Sequence, residues 1–87
     1  MYYVYLIKSQ KVKGWKYIGS TNDLERRLQC HNSGRVFSTK NYYPFELIYY
    51  EAYMSEKDAR EREKQLKYSG NAYKFLIKRI KNSLKDK

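Results

Sequence analysis

Glu63 interrupts the face by which a helix of this chain must meet the core. Ala59, Glu63 and Leu66 recur at i, i+4 and i+7 in AREREKQLK, so a carboxylate stands in the only apolar stripe available. A half-buried carboxylate requires a partner. An Arg or Lys of the same charge run would make an ordinary ion pair. A divalent cation is the alternative, because hard-cation sites in phosphate chemistry often use one or two carboxylates with water and substrate oxygens. A second group lies in GWKYIGSTNDLERRLQCHNSG, residues 14–34. Helical spacing puts Leu24, Arg27, Leu28 and His31 on one side of a helix and turns Arg26 away. Arg27 in that place commonly snorkels over the edge of the core, and His31 commonly caps the helix end, where the macrodipole favours a cation. Tyr17 ends a strand beside Gly19, whose missing side chain lets a backbone or ligand approach. A tyrosine there is usually packing, so residue type and spacing leave each of these groups open between structure and chemistry.

The elements that must position them are legible. Tyr2 to Lys8 is a nearly continuous aromatic and β-branched run, a strand covered on most of both faces. Trp15 to Gly19 is a second strand, paired to the first as a hairpin through a loop containing Gly14. Asn22 and Glu25 have the spacing of a capping box, so a helix is predicted from about Asp23 to Asn32 with Gly34 as its C-terminal stop. RVFSTKNYYP is a loop ending at the only proline, and FELIYYEAY is a third strand. Ser55 with Asp58 opens a second helix that runs to the Ser69-Gly70 break. A last helix from about Asn71 carries Tyr73, Leu76, Ile77, Ile80 and Leu84 at helical spacing, and SLKDK reads as a fraying end. The order ββαβαα defines a small α+β domain, a three-stranded antiparallel or mixed sheet flanked by three helices, spanning 1–87 as one unit.

Composition bounds what such a domain can do. Eighty-seven residues argue for one domain and one modest core, so an active site would be shallow and built on a face. Lys+Arg number 19 against 9 Asp+Glu, a formal charge of +10 spread through the chain, which favours a polyanionic partner, nucleic acid before an acidic membrane surface. Cys30 is the only cysteine, which excludes an internal disulfide framework, and with a single histidine no Cys/His cluster is spaced for structural zinc. MYYVYLIKSQ has too short an apolar run for a signal peptide, and no run of about 18 apolar residues exists, so a soluble, cytoplasmic protein is expected, with no membrane partner. The eleven tyrosines suit strands and supply amphipathic packing surface.

Taken in order, these residues resemble the GIY-YIG nuclease family over almost the whole chain. YVY at Tyr3 to Tyr5 stands for the first motif and YIG at Tyr17 to Gly19 for the second, with eleven residues between the two tyrosines Tyr5 and Tyr17. The family's helix with an arginine and, one turn on, a histidine is matched by Arg27 and His31, and its later helix with one glutamate by Glu63 in REKQLK. The similarity is nearest to small single-domain members akin to the nuclease domain of the bacterial excision-repair incision subunit. The first motif lacks its glycine, with Tyr3 in that place, while Tyr5 keeps the phenol. Asn71 is the only residue near the last helix to set against the family's asparagine, at a spacing from Glu63 that is short.

The resemblance implies metal-assisted hydrolysis of DNA phosphodiester bonds, structure-directed or weakly sequence-specific, in repair or recombination. It implies Glu63 as ligand to a single Mg²⁺ or Mn²⁺, Arg27 on the scissile phosphate, and Tyr17 as general base with Tyr5 and His31 in its hydrogen-bond surroundings. No small-molecule cofactor is implied. An unperturbed phenol titrates near ~10, so the base needs a cation or a proton acceptor close by. Binding is expected through phosphates, to DNA with RNA also open, because the chain has no room for a second recognition domain. Arg35 and Lys40 in the long loop, with Lys74, Lys78, Arg79 and Lys81 on the last helix, are the candidate contacts; the same residues would also serve as a solvated helix face. The rival reading is an adaptor that keeps the fold and binds nucleic acid without turnover, although a carboxylate on such a face repels phosphate unless a metal intervenes.

Overall fold

Val4, Tyr5, Leu6 and Ile7 are all buried, which successive residues of a strand achieve only when both faces are covered. In the computed structural model, which describes residues 1–85, this strand is β1 (Tyr2–Ser9), the middle of a three-stranded sheet. It pairs antiparallel with β2 (Lys16–Thr21) on one side and β3 (Phe45–Tyr53) on the other. Helix α1 (Leu24–Asn32) follows β2, and α2 (Glu56–Tyr68), α3 (Gly70–Arg79) and α4 (Lys81–Lys85) follow β3. The expected α+β class and element order hold, and the sheet is antiparallel throughout.

The core is divided by the sheet into two clusters, where composition suggests one. Val4, Leu6 and Ile18 pack with Ala59 and Leu66 of α2 and with Leu76 and Ile80 beyond it. Tyr5, Ile7 and Phe45 pack on the opposite side with Leu24 and Leu28 of α1 and with Trp15, Tyr17 and Tyr42. β3 serves both sides through a bulge: Leu6 pairs with Tyr49 but Ile7 with Leu47, so Ile48 is the extra residue. Ile48 and Tyr49 therefore join the same cluster, and strict alternation along FELIYYEAY is broken.

Local signals place the helix ends with two adjustments. Asp23, not Asn22, caps α1, its carboxylate accepting from the Arg26 amide at 3.1 Å, because the chain turns one residue later than the capping-box spacing suggests. Gly34 has φ +74, the left-handed stop expected just past the helix end. Ser55 caps α2 as predicted, and Ser69 ends α2 while capping α3. The single last helix predicted through Leu84 is broken at Ile80, which ends α3 and packs into the core. Of the SLKDK end, Ser83 to Lys85 belong to α4, and residues 86–87 lie outside the described part.

One close approach ties the two motif strands together. Tyr5 pairs with Gly19 across β1 and β2, and a Cβ on Gly19 would lie 2.4 Å from the phenol oxygen of Tyr5 and 2.6 Å from Cζ. The space left by the missing side chain is filled by the Tyr5 ring itself. Gly19→Ala forces that ring off its position, an overpacking expected to destabilise the fold by about 1–3 kcal/mol. Urea denaturation of the two proteins checks this, and an unchanged midpoint would mean that the Tyr5 ring shifts without penalty.

Candidate active site

The candidate residues approach from opposite faces of the sheet and meet around its β2 edge. Tyr17 pairs with Ile7 and so projects on the α1 side, whereas Ser20 pairs with Val4 and projects on the α2 side. Tyr17 lies near the start of β2, not at a strand end, since β2 runs on to Thr21. Glu63 sits mid-way along α2, its Oε1 accepting from the Ser20 hydroxyl at 2.6 Å and its Oε2 paired with Lys67 at 3.1 Å. The Lys67 ammonium also lies 4.9 Å over the Tyr17 ring, linking the two faces. Arg27 reaches round from α1 into a cleft of about 260 Å³ that it shares with Ser20, Thr21, Asn22 and Glu56 and Arg60 of α2. Its Nε is buried with no hydrogen-bond partner, an unusual state for a guanidinium nitrogen.

Behind this edge lies a buried polar chain. The Tyr5 hydroxyl is 2.7 Å from Nε2 of His31, and Nδ1 of His31 is 2.8 Å from the hydroxyl of Thr39. His31 and Thr39 are both 0% exposed. Burial, and secondarily the nearby Arg27 charge, lowers the His31 pKa to about 4, so the ring is neutral at physiological pH. This corrects the reading of His31 as a charged helix cap: it has no charge to offer the macrodipole and no access to solvent. Burial pushes the Tyr5 phenol up to about 12 in spite of the opposing effect of Arg27. Tyr17, half-exposed beside the His31 ring at 5.5 Å between centroids, is the phenol that water can reach.

The donors around Glu63 suit some cations better than others. Among the described residues no three His, Cys, Asp or Glu side chains cluster to hold a metal, and both His31 nitrogens are already engaged. A zinc-type site is therefore a poor fit. A single carboxylate with oxygen donors from water and phosphate is the pattern of Mg²⁺, which keeps much of its hydration, and Glu63 with the adjacent Ser20 hydroxyl fits it. Lys67 is the competing partner of that carboxylate, the ion pair that the charge run suggested.

The basic residues are more dispersed than their sequence grouping implies. Lys74, Lys78 and Arg79 are exposed on α3, but Lys81 begins α4 beyond the break, so the four do not form one helix face. Arg35 and Lys40 are exposed in the loop before β3, where the Lys40 ammonium sits 4.8 Å over the ring of Phe37. Asn71 is exposed at the second position of α3. The clefts at Tyr17 and Arg27 are lined instead by Lys16, Lys67, Arg26 and Arg60. Sequence reasoning missed Ser20, Lys67 and Thr39. Lys67 had a signal, its i+4 spacing from Glu63. Thr39 had none, since a loop threonine says nothing about a helix histidine eight residues earlier.

An antiparallel α+β domain with a strand tyrosine, a helix arginine and a glutamate around one sheet edge, and a second strand tyrosine buried behind it, defines a class, and comparison with known proteins agrees. Residues 1–81 match the GIY-YIG catalytic domain model, and the chain belongs to the GIY-YIG family. Its relatives include small bacterial UPF0213 proteins. The one from Bacillus pumilus is 37% identical over 67 residues, which cover 76% of this chain and 66% of that protein. One from Streptococcus agalactiae is 34% identical over 82 residues, covering 92% and 91%. The solution NMR structure of a UPF0213 protein from Bacillus halodurans has the same fold at 30% identity, with a TM-score of 0.55 over 88% of this chain and 82% of that one. Among the described residues no helix is long and apolar enough to cross a membrane.

The buried neutral histidine makes stability depend on pH. The His31 pKa falls from 6.5 unfolded to about 4 folded, so between those values the unfolded chain binds a proton that the folded chain refuses. Stability from this group is complete above 6.5 and is lost on acidification toward 4, by on the order of 3 kcal/mol. Urea midpoints measured from pH 7 to 4.5 should fall steeply, and His31→Gln should flatten that part of the profile.

Proposed function

We propose that this protein is a divalent-cation-dependent endonuclease that hydrolyses DNA phosphodiester bonds. The observation that carries the reading is the convergence of Tyr17, Arg27, whose Nε has no partner, and the carboxylate of Glu63 around one open sheet edge. Family membership supports a nuclease-type domain acting on nucleic acid. Arg27 would donate to the non-bridging oxygens of the scissile phosphate, where charge builds up in the transition state. Tyr17 would take the proton of the attacking water, with the Lys67 ammonium beside its ring where negative charge develops. Glu63 would hold the cation, exchanging its contact with Lys67 for one with the metal. When bound, the cation supplies Lewis-acid polarisation of the phosphate and neutralises the leaving alkoxide.

Recognition would rest on phosphates, through Arg35, Lys40, Lys74, Lys78, Arg79 and Lys81 together with Lys16 and Lys67 at the cleft. Such contacts fix position without reading bases, which suits a structure-directed or weakly sequence-specific enzyme working in repair or recombination in the cytoplasm. The Glu63–Lys67 pair favours one other reading, an adaptor of the same fold that binds without cutting, because the pair neutralises the carboxylate with no metal.

Labelled duplex, single-stranded, flapped and four-way DNAs incubated with Mg²⁺, Mn²⁺ or EDTA separate the two. Nicking that needs the cation, disappears in Glu63→Ala and drops by at least ~100-fold in Tyr17→Phe is the expected result. Binding that survives EDTA with no cleavage of any form would select the adaptor. In a salt titration the affinity should fall steeply between about 50 and 200 mM, and a flat response would remove phosphate contacts as the basis of binding.

A further inference from the structure

We propose that Thr39 is a positioning residue that holds His31 in its Nδ1–H tautomer, so that the bare Nε2 always faces the Tyr5 phenol; its catalytic part rests on the nuclease reading above. The geometry makes the three side chains one line: Tyr5 Oη, 2.7 Å to His31 Nε2, then His31 Nδ1, 2.8 Å to Thr39 Oγ1. A neutral imidazole has one N–H, so one of these contacts is donated by the ring and the other accepted by it. The full burial of His31 and Thr39 leaves no solvent to substitute for a wrong choice.

The two ends of the line decide its direction. Thr39 Oγ1 lies 3.5 Å from the Val36 carbonyl, which also accepts the Thr39 amide at 3.0 Å. A carbonyl only accepts, so Val36 offers the Thr39 hydroxyl proton a partner, and with the proton placed there the Thr39 oxygen accepts from Nδ1–H. At the other end stands Arg27, a group that only donates, hydrogen-bonded to the Tyr5 phenol, whose pKa burial nonetheless raises. The phenolic proton is thereby turned away from Arg27 and toward Nε2. In the opposite tautomer Nε2–H and Arg27 would both press donors on the Tyr5 oxygen.

The loop that carries Thr39 is itself held. The Tyr42 amide donates to the Thr39 carbonyl at 3.0 Å, and the Tyr42 ring stacks on Trp15 at 3.9 Å between centroids. Trp15 is in turn parallel to Tyr17 at 6.4 Å. The segment before β3 thus sets the proton-accepting side of a histidine that lies between the two motif tyrosines, each within 5.6 Å by ring centroid. The Tyr5 hydroxyl is thereby held as a donor to Nε2 inside the buried site, with both groups neutral.

His31 is the only histidine of the chain, so long-range ¹H–¹⁵N correlation of the uniformly labelled protein reads its tautomer without ambiguity. The expected spectrum has a protonated, pyrrole-type Nδ1 and a bare, pyridine-type Nε2. Thr39→Val, which swaps the hydroxyl for a methyl group, should move the population to Nε2–H, and Thr39→Ser should restore it. A wild-type protein in the Nε2–H form overturns the proposal with no variant needed, and so does an unchanged tautomer in Thr39→Val. In nicking assays kcat should fall about tenfold in Thr39→Val with KM within about twofold, and recover in Thr39→Ser. A switched tautomer with kcat unchanged would overturn the catalytic part. A wild-type protein that cuts no DNA would instead count against the nuclease reading, leaving the spectrum to judge the tautomer.

Discussion

The contact between the Tyr5 ring and Gly19 is the constraint on which the site depends. Because glycine leaves room on the neighbouring strand, the ring lies over β2 and delivers its hydroxyl to His31 of α1. That reach, together with the Asn32 side chain bonded to the Phe45 backbone, ties α1 to the sheet one turn from Arg27. A side chain at position 19 would push the phenol outward and loosen both. The glycine is thus required by close approach and not by backbone conformation, since only Gly14 and Gly34 have positive φ.

On the other face the equivalent role belongs to Glu51 of β3. Its carboxylate accepts from Tyr49 at 2.6 Å and from Tyr53, and is clasped by two nitrogens of Arg62 at 2.9 and 3.0 Å. Burial would raise the pKa of this group, but the guanidinium and the two phenols outweigh it and hold the carboxylate ionised. Arg62 precedes Glu63 on α2, so the clasp also settles which way Glu63 faces. The charged residues of AREREKQLK therefore divide their work between anchoring the helix to the sheet and presenting one carboxylate at the β2 edge.

The site mixes two electrostatic regimes. Behind the edge, Tyr5, His31 and Thr39 are sealed, and burial keeps both titratable members neutral. At the edge, Tyr17, Arg27 and Glu63 are only partly buried and Lys67 is exposed. The nuclease reading proposed above rests on this arrangement of fixed polar groups next to an accessible surface.

Much of this was legible in the residues. The twofold-buried run of β1, the existence and length of β3, the Ser55 cap and the Gly34 stop follow from hydrophobic pattern and backbone chemistry, which act over a few neighbours. The candidate residues Tyr17, Arg27, His31 and Glu63 were also visible, as polar groups set on apolar stripes or beside a glycine, and Tyr5 through the family resemblance. Their relations were not. The bulge at Ile48 and the break at Ile80 are settled by which core each side chain enters. Whether His31 is a solvated cap or a sealed neutral ring, whether Glu63 meets Lys67 and Ser20, and that Thr39 meets His31 at all depend on elements far apart in sequence. Sequence patterns carry the short-range terms of the free energy, whereas burial and hydrogen-bond pairing across elements exist only once the chain has closed on itself.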